Sequence, residues 1–220
     1  MGPWDIMSEH FVKRNEPPPG ISSFTKIRLG WISPGQALFV KPGETLYTHL
    51  SPLSRNGSVR VVKIPLEGGS YYLLENRQPI GFDSVLPDHG LLVLKVDPDS
   101  PEGYGTVRVM NAEPNSPHFS RATFRMDQNK RNLFLDQEAN LAILPLWTEG
   151  ENLGVLITTP EKSRHALQAA WMIRKLKELC PEPRRKETHR LLEECMDCFK
   201  RYDFAACCQS ARKALKDETP

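Results

Sequence analysis

The amino-acid sequence predicts a mainly β protein, an antiparallel β-sandwich or partly closed barrel, followed by an α-helical C-terminal hairpin region. Three observations carry this. All 14 glycines lie at or before Gly154, and 16 of the 19 prolines lie at or before Pro160, so turn-formers punctuate only the first part of the chain. Between them stand short runs of β-branched, aromatic and aliphatic residues at near-regular spacing, as a sandwich requires. The last sixty or so residues are nearly free of such breakers and carry apolar residues at helical spacing. Two physical regimes therefore meet near residue 160. Three segments follow: 1–33, a turn, a loop and a short helix; 34–158, rich in strands; and 159–220, helical.

The opening segment begins Gly2-Pro3-Trp4-Asp5-Ile6-Met7, continues through the Pro-rich loop Glu16-Pro17-Pro18-Pro19-Gly20, and enters a short helix through Phe24, Ile27 and Leu29. This helix has a modest apolar stripe, and it is expected to leave Trp4, Phe24 and Trp31 poorly covered. Strands follow at 37–40, 45–50 and 58–64. Gly68-Gly69 is a hairpin signal leading into Tyr71-Tyr72-Leu73-Leu74. Further strands are expected at 91–96, 106–109, 142–144 and 154–157. The helical part starts with Thr159 as N-cap and Pro160 at the first helical position, where its missing N–H costs nothing. Ala166, Ala169, Ala170, Ile173, Leu176 and Cys180 make one stripe. Pro181 and Pro183 separate it from a second, Leu191, Leu192, Cys195, Cys198, Phe199 and Tyr202. Asp203 then caps a third helix, with Cys207, Ala211, Ala214 and Leu215 on one side. The string Tyr202-Asp203-Phe204 to Cys207, Ala211 and Ala214-Leu215 resembles half of a tetratricopeptide-like hairpin, and one such unit is too little for a solenoid.

Composition bounds function. The formal net charge is +2, with 14 Lys and Arg against 10 Asp and Glu in residues 161–220. So mild an imbalance gives no reason to expect nucleic acid as a partner. No apolar run approaches the roughly 20 residues of a membrane helix, and no membrane association is expected. The first residues lack the charged and apolar regions of a signal peptide. No GxSxG elbow and no GxxxxGK[ST] phosphate loop occurs, and Gly103-Tyr104-Gly105 lacks the third glycine of a dinucleotide site.

The segment Gly2 to Met7, with Ser23-Phe24-Thr25-Lys26 and Leu29-Gly30-Trp31-Ile32 after it, resembles the methionine turn of immune-inhibitor-A-like secreted zinc metallopeptidases. Tyr71 to Gln78 with Gly81-Phe82-Asp83-Ser84 is similar to a strand motif of that family, and Leu86 to Val93 with Val96-Asp97 to the strand after it. The likeness runs in order from Gly2 to about Ile157. It implies a methionine turn at Trp4, Asp5 and Met7, and a family strand motif at Glu75, Asn76, Arg77 and Asp83. It also implies an extracellular setting, zinc as the parent cofactor, and peptide-bond hydrolysis as the parent reaction.

The ligand helix of that family is missing: no HExxH occurs in the 220 residues. A catalytic zinc needs about three protein ligands, an open position for water and a carboxylate base. Met7 is not a ligand and His10 stands alone, so no cofactor and no catalytic residue are expected in this chain. The expected function is a non-catalytic β-domain that packs on or supports a protease unit. The alternatives are half of a split zinc protease joined by a catalytic chain, or a stand-alone protein-binding module.

Glu75, Asn76 and Arg77 lie in an apolar strand, where charge demands a partner. Either they mark a domain interface or calcium-associated site, or they form an internal Glu–Arg network or alternate outward, the commoner outcome. Asp83, Asp88, Asp97 and Asp99 lack the spacing of a calcium loop and read as turn-formers. All five cysteines, Cys180, Cys195, Cys198, Cys207 and Cys208, fall in the helical part. Their spacing fits no structural zinc pattern well. Buried free thiols, an interhelical disulfide and a metal site are the three states open to them, in that order of weight. The odd count leaves at least one unpaired within a monomer.

Overall fold

Why the stretch Tyr71–Arg77 carries charge among apolar residues becomes clear from its place in the sheet. In the computed structural model, which describes residues 1–8, 16–101, 103–126, 131–179 and 186–217, the chain forms two compact units, Met1–Ile157 and Thr158–Pro220. The first holds a five-stranded sheet in the order β1 (Ala37–Phe39), β3 (Val61–Pro65), β4 (Tyr71–Arg77), β5 (Gly90–Val96) and β6 (Val107–Val109). The second sheet runs β2 (Leu46–Leu50), β9 (Asn152–Thr158), β8 (Leu141–Glu149) and β7 (Phe134–Asp136). The arrangement is a sandwich and not a closed barrel. Pairing is antiparallel apart from β1 with β3, where Ala37 lies opposite Val61. Between those two strands the chain crosses to the other sheet as β2, so it returns in its original direction.

Strand periodicity places the core. Val62, Ile64, Tyr72, Leu74, Leu91 and Val93 face the other sheet and meet Leu141, Ile143, Leu153, Val155 and Ile157. Each such side chain contributes about 1.5–3 kcal/mol on leaving water. The Tyr72 hydroxyl donates to Asp136 Oδ2 at 2.7 Å and pins β4 to β7 across the layers. The alternate residues Val61, Leu73, Leu92, Leu94 and Val96 form a second cluster on the outer face of the five-stranded sheet. Because both faces of β5 are covered, its sequence is a continuous apolar run and not an alternation.

The cover over that outer face comes from the start of the chain. Trp4, Ile32, Leu53 and Ala122 are buried in this cluster, and Phe24 packs against it. The expectation that Trp4 would lie poorly covered is therefore corrected: it is fully buried, with its indole Nε1 donating to Phe119 O at 2.9 Å. An outer sheet face made of Leu and Val needs a lid, and Trp4 supplies much of it. Trp31 does remain 61% exposed. The short helix expected near Phe24 is α1 (Ser23–Arg28), capped by the Ser22 hydroxyl, which accepts from the Thr25 amide at 3.4 Å. Strand β7 had no clear sequence signal, being three residues long.

The second unit contains α2 (Pro160–Leu179), α3 (Lys186–Lys200) and α4 (Phe204–Asp217). Thr159 caps α2 through its hydroxyl, which accepts from the Lys162 amide at 3.4 Å. Asp203 caps α4, its Oδ1 accepting from the Ala206 amide at 2.9 Å. Between α3 and α4 the chain turns sharply at Tyr202, which adopts a left-handed φ of 63°. Tyr202 N donates to Phe199 O at 3.0 Å and Asp203 N to Cys198 O at 2.9 Å, the paired bonds of a Schellman ending. The buried stripes Ala166–Ala169–Ala170–Ile173–Leu176, Leu191–Cys195–Cys198–Phe199 and Cys207–Ala211–Ala214 follow the helical spacing. Cys180, Pro181 and Pro183, like His10, lie outside the described residues. Among the described residues no helix is long and apolar enough to cross a membrane.

Candidate functional site

The alternation of β4 sends Glu75 and Arg77 to the outer face with Leu73, and Asn76 to the opposite face with Leu74. Arg77 is fully buried there, and every one of its five N–H donors has an acceptor. Nε donates to Asp83 Oδ2 at 3.0 Å and Nη2 to Asp83 Oδ1 at 2.8 Å, a bidentate fork. Nη1 donates to Glu75 Oε1 at 2.8 Å and to the Trp4 carbonyl at 2.9 Å. The remaining Nη2 hydrogen reaches the Gly20 carbonyl at 3.3 Å. Burial works to lower the Arg77 pKa, but Glu75 and Asp83 outweigh it and hold the group above its ordinary value. The guanidinium stays charged.

Asp83 is thereby more than a turn-former, which corrects the reading from sequence. It sits in a 3₁₀ turn at Gly81–Val85 and is buried against Arg77. The sequence signal was available: a buried arginine next to a single glutamate still lacks a partner for its second edge. Gly20 approaches so closely that a Cβ there would fall 2.3 Å from Asp83 Oδ1. Only glycine fits without displacement of that carboxylate.

A third carboxylate completes the arrangement. Asp5 is buried, with Oδ1 accepting from the Met7 amide at 2.9 Å. Its Oδ2 accepts from the Ser22 amide at 2.9 Å and the Thr25 hydroxyl at 3.1 Å. Glu75 Oε2 accepts from the Ser23 amide at 2.7 Å. Asp5 and Glu75 thus both hold the start of α1, where unpaired amides favour negative charge. The Ser8 amide closes a turn on the Asp5 carbonyl at 2.9 Å, leaving Ile6 and Met7 at its corner. Met7 is 76% exposed. Trp4 and Asp5 are therefore fixed in the interior, and the methionine between them and solvent is displayed.

Beside this knot, Lys26 Nζ donates to the Leu53 carbonyl at 2.7 Å. Its pKa is lowered, first by burial and then by the Arg60 charge. Asn76, on the sandwich side, holds two loops instead, its Nδ2 donating to Leu50 O at 3.0 Å and Glu151 O at 3.1 Å. These four residues consequently divide by face: Glu75, Arg77 and Asp83 join Trp4 and Asp5, and Asn76 does not.

Chemically the knot is a clamp. Its carboxylates are out of solvent and their oxygens accept from fixed donors, so they are not placed for general acid–base work on a substrate. Nor do they fit a zinc site: among the described residues no three His, Cys, Asp or Glu side chains are grouped to hold a metal ion. Aspartates Asp88 and Asp97 are used locally. Asp88 pairs with Arg131 and Arg125 and accepts from the Thr123 hydroxyl at 2.6 Å. Asp97 accepts from the Ser100 hydroxyl at 2.8 Å.

One polar group was not foreseen. On the second sheet the Tyr47 hydroxyl lies 2.5 Å from His49 Nε2, and His49 Nδ1 lies 3.6 Å from Glu149 Oε2. Burial first, and then the Glu149 charge, push the Tyr47 phenol up to about 12. Gly154, paired with His49 in the register, leaves room for the tyrosine: a Cβ there would fall 3.3 Å from its hydroxyl. The i, i+2 spacing of Tyr47 and His49 in a strand was the only hint.

In the helical unit Cys195, Cys198, Cys207 and Cys208 are all buried free thiols. Cys195 Sγ donates to the Cys207 carbonyl at 3.7 Å, and Arg201 Nη2 donates to Cys198 Sγ at 3.6 Å. Compared with known proteins, the chain matches no family, no curated protein and no solved structure.

Proposed function

We propose that this chain is the non-catalytic methionine-turn and β-domain portion of an immune-inhibitor-A-like metallopeptidase, which supports a protease unit supplied by another segment. One observation carries the reading. The two groups of residues that resemble the family, Trp4-Asp5 and Glu75-Arg77-Asp83, meet in one buried network, beside which Met7 is displayed. A methionine turn has to hold a soft apolar side chain in a fixed place for histidine rings to rest on. The clamp gives Met7 a backbone fixed by Asp5 and a side chain open to an incoming partner. Zinc, its histidines and the carboxylate that activates water belong to that partner in this proposal. The chain by itself supplies the floor and the fold that holds it.

The test is co-expression with the segment encoded immediately upstream of residue 1. The expected result is a co-purifying HExxH-bearing polypeptide, one zinc per complex and chelator-sensitive hydrolysis of casein. The isolated chain is expected to give none. An upstream segment without HExxH, or casein hydrolysis by the isolated chain, overturns the proposal.

A protein-binding module without a protease is the second reading, supported by the exposed apolar side chains of Leu29 and Trp31 beside α1. Deleting residues 1–33 would not separate the two, because it would uncover the Leu73 and Leu92 face. Substitution Met7→Asp does separate them. It is expected to abolish casein hydrolysis by the complex under the first reading, and to leave partner binding intact under the second.

A further inference from the structure

We propose that Cys195 and Cys207 are a latent disulfide pair, closed by exchange with a small-molecule disulfide to form a covalent staple between α3 and α4. The inference concerns the helical unit alone and does not depend on the reading of the β-domain. Both residues are fully buried, each from a different helix. Cys195 Sγ stands 3.7 Å from the Cys207 carbonyl, close to the backbone that carries the second sulfur. The proximity of the two thiols lowers the Cys195 pKa and raises that of Cys207. A disulfide needs Cβ atoms about 3.5–4.5 Å apart and a rotamer change to bring the sulfurs to bonding distance. The Cys195 sulfur already rests against the Cys207 backbone, so these two residues are neighbours across the α3–α4 pair. Cys208 follows Cys207 by about 100° around α4, and Cys198 receives the Arg201 guanidinium.

Cys195, the more readily ionised of the two thiols, attacks one sulfur of the reagent and displaces a small thiolate. Cys207 then attacks the Cys195 sulfur of the mixed disulfide, forming the protein S–S bond and releasing a second small thiolate. The protons of the two cysteines leave on the two small thiols. In sum, two protein thiols are oxidised to one disulfide, and one reagent disulfide is reduced to two thiols. Since both sulfurs are buried, the reaction proceeds when α4 lifts locally from α3.

The experiment treats the full chain with oxidised glutathione, blocks remaining thiols with N-ethylmaleimide and maps tryptic peptides by mass spectrometry. Of the five cysteines, two are expected to become unreactive. Peptide 191–200 is expected to be linked to peptide 202–212, with fragmentation placing the bond between Cys195 and Cys207. Cys195→Ser and Cys207→Ser are each expected to abolish the link, and Cys208→Ser to retain it. Persistence of all five thiols, glutathione adducts without a protein bond, links between chains, or a bond through Cys198 or Cys208 would each overturn the proposal. The mapping on the unsubstituted chain decides the matter even where a serine variant fails to fold.

Discussion

At the scale of single residues, Arg77 decides most. Its guanidinium joins Glu75, Asp83, Trp4 and Gly20, and all five donors are used. Arg77→Met would leave two buried carboxylates without their cation, and urea unfolding is expected to show a loss of about 3–5 kcal/mol. Met7→Ser is expected to change stability by no more than about 0.5 kcal/mol, because that side chain is in solvent. The contrast between the two substitutions tests whether the clamp and the displayed methionine are separate parts. Tyr47 offers a pH signal. A phenol whose pKa rises on folding holds its proton more tightly in the folded state. Its contribution to stability is therefore whole below about pH 10 and is lost as pH climbs towards about 12. Tyr71 and Tyr72 are pushed up as well, so phenolate absorbance near 295 nm is expected to show a late-titrating group of tyrosines, from which Tyr47→Phe removes the component near pH 12.

At the scale of elements, caps and turns matter more than propensity. Thr159 and Asp203 stand where the sequence put them, since a side-chain oxygen before a helical stripe has one use. Asp203→Ala is expected to cost about 0.5–2 kcal/mol, read as a lower melting point of the helical unit by circular dichroism. The strands were legible for the same reason: Leu91 to Val96 and Tyr71 to Leu74 are β-rich runs closed by turn residues. Short β7 was not legible, because Phe134–Asp136 carries no alternation that three residues can display. The direction of β1 was not legible either. Parallel pairing with β3 is set by the excursion of β2 into the other sheet, and no local residue records it.

For the whole molecule, the sandwich and the helical unit were readable from the confinement of glycine and proline. The candidate site was readable only in part. Glu75 and Arg77 announced an internal network, because charge in an apolar strand demands a partner. Asp83 lies only six positions from Arg77, but that Trp4 would close over the same face depended on a contact between residues 73 positions apart. Such proximity is a property of topology and leaves no periodic trace. The free thiols of Cys195, Cys198, Cys207 and Cys208 were one of three states the spacing allowed, and the helix packing selected it.

The clamp has a consequence for the integrity of the chain. Trp4 and Asp5 on one side, and Gly20, Ser22 and Ser23 on the other, are gripped by the same set of side chains. A single proteolytic cut anywhere between Ser8 and Gly20 should therefore sever the polypeptide without releasing its first residues. Size-exclusion chromatography of nicked material is expected to elute as one species that separates only in denaturant. Early departure of the amino-terminal peptide would show that the grip is weaker than its hydrogen bonds suggest.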